Sequence, residues 1–449
     1  MLNIFSGLTI GVSSGSKWGL VCKNTEASIR YGVNTHLGLG TGFSAYNNET
    51  GVIDEVVALG FTAWRDNLLW QVFEASPGVY TCTPAGDTQS AELFAGLARN
   101  TAQGYGLHLT YGCLYHNSAL YGSTPDATWR DHFVDAMEAF ALAYVAAGYD
   151  PAKLTMEVWN EPSSLGTVFT NVAQADDFGS LITELYPRIK AVDSEIEVIG
   201  PAMSDGSWSG NLAWHQAMWG IAGWAQALDA YSDHIYNTGD AAALRYPESF
   251  LFKMRAFYDR YLFPAVLADG NSVMPLRVNE FGWDTTTFGA TTPAKYYPRA
   301  LALFSSIPRL REATLYELID SNTNTFGLSS SLGVRKAQAT SVAAILVHLK
   351  LATERSYYWC GGSYNNGYHA VLLTTGVSTR RLVVWSLEGD RTTTITVQTQ
   401  SAGTLSIETI GSTTSTQELV VGLNDVSVDL TDIAKVLYAD VAITFPEFT

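Results

Sequence analysis

Basic residues are scarce in this chain. Its 449 residues carry 26 Lys and Arg against 43 Asp and Glu, a formal net charge of −17. Nucleic acid and anionic membrane surfaces need a basic partner, so neither is expected here. Cysteine is scarcer still: Cys22, Cys82, Cys113 and Cys360 lie far apart, without the spacing of a metal site. They are expected as free buried thiols, and neither a metal nor an organic cofactor is implied. Long apolar runs are missing too. No stretch reaches the roughly 20 residues that cross a bilayer, which argues against membrane insertion. No Lys or Arg precedes Lys17, and Asn3, Ser6 and Gly7 interrupt the apolar start, so no clear signal peptide is read. A Gly-rich phosphate turn after the first strand candidate is also lacking, which argues against a doubly wound dinucleotide fold.

What is present is ample material for a core, with 47% apolar and 12% aromatic residues. Eight short apolar runs read as strands, at 29–34, 62–69, 107–114, 154–160, 196–202, 230–236, 276–282 and 314–320. Helical periodicity fills the gaps. Trp129, Phe133, Met137, Phe140 and Tyr144 follow a Pro125-Asp126 start signal, and Phe178, Leu181, Ile182, Leu185 and Ile189 repeat the pattern. Phe250, Met254, Phe257 and Tyr261 form a third such face, and a last helix is expected over 336–351. Eight strand-then-helix units predict an α/β chain built as a (β/α)8 TIM barrel over residues 28–354. After about residue 355, Gly, Ser and Thr increase and alternating strands are read at 370–375, 381–387, 393–399 and 404–410. That pattern predicts a C-terminal all-β sandwich over 355–449. Residues 1–27 are expected either to add strands to that module or to form a cap.

Two segments carry the chemistry. EVWNEPSS (157–164) and VNEFGW (278–283) each end an apolar run of strand length, and each delivers one glutamate, Glu161 or Glu280, where its strand should stop. The strand C-termini of a barrel form the active-site face. Two carboxyl groups facing each other across a sugar are what glycosidic cleavage needs, one kept protonated as acid and one kept ionised as nucleophile. Glu161 is read as the acid/base and Glu280 as the nucleophile. Arg65, ending the second strand candidate, is the cation best placed to hold Glu280 charged. Asn160 is a candidate to grip a substrate hydroxyl beside the reacting carbon. His234 and Tyr236, ending the sixth, are candidate donors to the nucleophile.

The string EVWNEP followed by NEFGW about 120 residues later resembles glycoside hydrolase clan A, whose retaining enzymes carry the acid/base after strand four and the nucleophile after strand seven. WQVFEASPGVY (70–80), LYELID (315–320) and the trailing β module look most similar to family 39. The resemblance implies acid/base Glu161, nucleophile Glu280, Asn160 on the sugar 2-hydroxyl, Arg65 beside the nucleophile, and Tyr236 as the aromatic near it. One departure is visible: many members place a Trp after strand eight, where this chain has Tyr316 and Glu317. Either Trp283 replaces it as a sugar platform or a polar contact replaces stacking there, and Tyr316 is a candidate substrate ligand.

Each residue also has a plainer reading. The plainer alternative for Arg65 is an interior pairing with Glu157, and for Glu157 itself a structural ion pair is expected. His36 and His116 end strands and are candidate sugar contacts or core histidines. Trp70, Tyr115, Tyr121, Trp208 and Trp283 follow strands and stand between stacking on sugar rings and packing the core. Trp214, Met218, Ile221 and Trp224 have helical spacing and are expected in the core. Glu74 is expected to be structural, and Asp284 and Glu317 are further candidate ligands. The reading is a retaining glycosidase, monomeric or weakly oligomeric. It is expected to cut a polysaccharide internally (an exopolysaccharide or a β-linked glycan), outside the cell or on a virion. A transglycosylase using the same glutamates and a non-catalytic carbohydrate-binding or adhesion protein are the alternatives.

Overall fold

A computed structural model describes residues 19–39, 46, 48–114, 117–122, 124–163, 169, 171–204, 212–236, 246–321, 324–360, 367–376, 379–387, 391–431 and 433–448. Strand β1 (Gly19–Asn24) lies outside the barrel. The next eight, β2 (Arg30–Asn34), β3 (Ala63–Leu69), β4 (His108–Leu114), β5 (Leu154–Glu157), β6 (Glu197–Ser204), β7 (Ala230–Ile235), β8 (Leu276–Phe281) and β9 (Leu310–Leu315), close into a parallel barrel. The expected (β/α)8 architecture is therefore present. Helices lie between the strands, with Asp126 capping Ala127–Ala146 by accepting from the Trp129 N–H at 2.9 Å.

One strand differs from its expected place. The eighth barrel strand begins at Leu310, four residues before the predicted start, because Arg311 and Glu312 interrupt the apolar pattern. Glu312 is buried among interior charges instead of facing solvent. It forms an ion pair with Arg30 Nε at 2.9 Å and accepts from Thr110 Oγ1 at 3.2 Å, while Glu197 takes Arg30 Nη2 at 2.8 Å and also pairs with Arg277. The lower barrel is thus filled by paired charges, not only by the aliphatic layers usual in such barrels.

The C-terminal module consists of a seven-stranded and a three-stranded antiparallel sheet. Their inner faces share one core, in which Leu372, Leu382 and Val384 of one sheet meet Val397, Val426 and Val428 of the other. Intervening residues of the larger sheet, Tyr357, Val371, Val383 and Trp385, join the barrel's core instead. Alternation thus serves two hydrophobic faces, which is why AVLL and LVVW read as unbroken apolar runs. β1 pairs with Glu354–Cys360 at the edge of this sheet. The four cysteines form no disulfide with one another; three are buried and Cys360 is half-buried. No helix among the described residues is long and apolar enough to cross a membrane.

Candidate active site

The site is built at the C-terminal rim of the barrel, and backbone irregularities aim its side chains. Along β8 the ladder to β7 skips Asn279, pairing Asp233 with Val278 and then His234 with Glu280. Such a bulge re-aims a side chain. Two consecutive residues consequently reach the same cluster: Asn279 Nδ2 donates to Glu157, and Glu280 meets Arg65. β5 ends at Glu157, and four residues later Glu161 adopts φ 49°, a left-handed conformation that a side-chain-bearing residue keeps only when its surroundings hold it.

A carboxylate oxygen of Glu161, one of Glu280 and a ring nitrogen of His234 lie within 4.8 Å of one another. His234, fully buried, is shared: its Nδ1 is 3.0 Å from Glu161 Oε1 and 3.4 Å from Glu280 Oε2. Both oxygens of Glu280 are held. Arg65 Nη1 donates to Oε1 at 2.6 Å, and Tyr236 Oη donates to Oε2 at 2.8 Å. Arg65 is the hub of the site. It also grips Glu157 with Nη2 and with Nε at 3.1 Å, Asn34 Oδ1 at 2.8 Å and Asn160 Oδ1 at 2.7 Å. One guanidinium fork thus contacts both the interior carboxylate of Glu157 and the candidate catalytic carboxylate of Glu280.

Electrostatics follow from burial and these neighbours. Burial opposes charge on Arg65, yet Glu157 and Glu280 outweigh it and raise its pKa. The same contest at His234 ends the same way: burial lowers its pKa, Glu280 and Glu161 raise it more, and the result lies above the ordinary histidine value. Burial, reinforced by Glu280, lifts the Tyr236 phenol well above its usual range, so it remains a donor. Glu161, His234 and Glu280 offer donor atoms of metal-ligating type. Arg65 and Tyr236 already engage both Glu280 oxygens, so hydrogen bonds account for the arrangement.

Beside this cluster, His36 Nε2 lies 2.8 Å from Glu317 Oε2, and its ring sits edge-on to Tyr46 and Tyr316 at 5.4 and 5.6 Å. Tyr316 in turn faces Tyr236 at 6.3 Å, so both belong to the rim. The peptide joining Tyr316 to Glu317 is cis.

Several candidates are placed elsewhere. Trp283 is a correction: it is 1% exposed and stacks on Phe250 at 5.4 Å within a cluster that includes Tyr296 and Tyr297. An aromatic closed into the core presents no face to a sugar. Trp70 is likewise buried, its Nε1 donating to Glu74 at 2.6 Å, and the half-buried Tyr121 stacks on it at 5.5 Å. Asp284 caps a short helix by accepting from Thr287 N at 2.7 Å. His116, Tyr115 and Trp208 lie outside the described residues. Two members were missed from sequence. Asn34 anchors Arg65 while its amide donates to the Asn279 and Leu315 carbonyls at 3.2 and 3.1 Å, and its position at the end of β2 was the available signal. Asn279 sits directly before the glutamate, where a bulge cannot be read from residue types.

No protein-family model and no curated protein sequence matches this chain. Solved structures do share its fold. A family 39 glycoside hydrolase from the gut symbiont Bacteroides cellulosilyticus is 19% identical, with 93% of this chain and 82% of that one covered at a TM-score of 0.66. The catalytic domain of a family 30 xylanase from Talaromyces cellulolyticus is 14% identical, covering 95% and 99% at 0.62. A monomeric beta-xylosidase from Caulobacter crescentus is 14% identical, covering 94% and 97% at 0.58. The chain is similar to these across both barrel and β module.

Proposed function

We propose that this protein is a retaining glycoside hydrolase acting by double displacement. Glu280 attacks the anomeric carbon while Glu161 protonates the departing glycosidic oxygen; Glu161, now a base, then takes a proton from water as that water displaces Glu280 from the sugar. The observation that carries the reading is the approach of Glu161 and Glu280 to within 4.8 Å at the barrel rim. That separation suits direct attack, whereas inversion needs room for water and about 6.5–9.5 Å between carboxyl groups. The asymmetry of their surroundings supports the assignment of roles. Glu280 has a guanidinium and a phenol on its two oxygens, which favour a carboxylate. Glu161 meets His234, whose proton traffic can follow the acid/base cycle.

The substrate is a carbohydrate, and the preferred action is internal cleavage of an exopolysaccharide or β-linked glycan, outside the cell or on a virion, by a monomer or weak oligomer. Two of the similar structures are named for xylan chemistry, so β-xylosides and xylan are the first substrates to try. The test is a panel of aryl glycosides and polysaccharides, with the anomer first released followed by proton NMR. Retained product is expected. Inverted product, or no cleavage across the panel, overturns the proposal.

A further inference from the structure

The mechanism uses the carboxyl of Glu161, but the backbone beneath it is held by a residue with no part in the chemistry. Glu161 N donates to the Ala202 carbonyl at 3.0 Å. Ala202 is itself left-handed, with φ 54° against 49° at Glu161, so two side-chain-bearing residues in contact share a disfavoured conformation. Each is disfavoured for a residue with a Cβ and relaxes unless its surroundings prevent it. Ala202 is also the extra residue of a bulge: β6 pairs Pro201 with Ser232 and then Met203 with Asp233, leaving Ala202 out of the ladder. Its buried N–H finds a different partner, the Ser232 hydroxyl, at 3.1 Å.

We propose that Ser232 is a positioning residue for the acid/base, acting through Ala202. This rests on the reading of Glu161 as the acid. Ser232 and His234 stand two apart on β7 and therefore share a side of the strand. One fixes the main chain at Glu161 through the bulge, and the other touches its carboxyl at 3.0 Å. Glu280 is held by Arg65 and Tyr236 and owes nothing to Ser232. Loss of the hydroxyl therefore disturbs protonation of the leaving group and spares nucleophilic attack.

The experiment compares kcat/KM for 2,4-dinitrophenyl and phenyl glycosides of one sugar, the β-xyloside or whichever sugar the panel identifies, in Ser232→Ala, Ser232→Thr and Glu161→Gln. A dinitrophenolate leaves without a proton; phenolate departure benefits from one, and general acid catalysis is worth about 10²–10⁴-fold. In Ser232→Ala the phenyl glycoside is expected to lose roughly tenfold and the dinitrophenyl glycoside under about threefold, with Ser232→Thr recovering most of the loss. Glu161→Gln should show the same selectivity, enlarged. Ala202→Gly, which frees the turn without removing a buried partner, should show it in weaker form and serves if Ser232→Ala does not fold. Equal losses on both substrates, or no loss in Ser232→Ala and Ala202→Gly beside a selective Glu161→Gln, overturn the positioning role alone. A Glu161→Gln variant indifferent to the leaving group overturns the acid assignment, and the positioning role with it.

Discussion

Arg65 and Glu280, 215 residues apart in the chain, meet at 2.6 Å inside the barrel rim. The same guanidinium holds Glu157, so removing it strands two buried carboxylates at once. Breaking a buried pair by deleting one partner costs on the order of 3–5 kcal/mol. Arg65→Met is expected to lose that much stability in urea unfolding and to reduce kcat/KM by at least about 100-fold, the scale of a lost electrostatic contact in a dry site. A variant as stable as the parent would contradict the hub.

Tyr236 engages the other oxygen of Glu280, and its deletion is milder because Arg65 remains. Tyr236→Phe is expected to cut kcat/KM roughly 10- to 100-fold. It should cost only about 1.5–3 kcal/mol in unfolding, the worth of one hydrogen bond to a charged group. Unchanged kinetics would remove Tyr236 from the site.

Stability should fall on acidification through histidines that are neutral when folded. Burial drives the pKa of His215 down to about 3, and it packs between Trp219 and Phe257 with its Nδ1 2.7 Å from Tyr231 Oη. The unfolded chain binds a proton at His215 below about pH 6.5 while the folded chain does not, so stability present above that pH is lost as pH drops toward 3. The slope is on the order of 1 kcal/mol per pH unit for this one residue. Urea unfolding at pH 7 and pH 5 should therefore show a shallower pH dependence in His215→Phe than in the parent. Identical slopes would contradict a neutral buried imidazole.

Barrel and β module should unfold together. Glu248, fully buried, accepts from Arg299 Nε at 2.9 Å and from Trp385 Nε1 at 2.8 Å, the latter belonging to the C-terminal sheet. Glu248→Ala leaves Arg299 without this carboxylate partner and is expected to cost about 3–5 kcal/mol, with a single transition retained at lower temperature. Two separate calorimetric transitions in the parent would show that the contact does not couple them.

The candidate pair was easy to pick out because each glutamate ends a strand-length apolar run, a signal contained in six or seven consecutive residues. The barrel was legible for a similar reason. β9 was displaced because its interior partner is a charge, Glu312, and charge reads as solvent when Arg30 is 282 residues away. Trp283 failed differently: an aromatic after a strand looks the same whether it faces the cleft or, as here, Phe250. The supports of Glu161 left no trace at all, since nothing in Ala202 or Ser232 as residue types announces a left-handed bulge. Side chains that meet through the backbone of a third strand belong to the fold, not to any local pattern.

The most direct test of the central claim is azide rescue of Glu280→Gly and Glu161→Gly on an activated aryl glycoside, with the product anomer assigned by NMR. Without its nucleophile, Glu280→Gly should yield the glycosyl azide of inverted configuration; without its acid/base, Glu161→Gly should yield the retained one. The opposite pattern would exchange the two roles, and rescue of neither would contradict double displacement at this site.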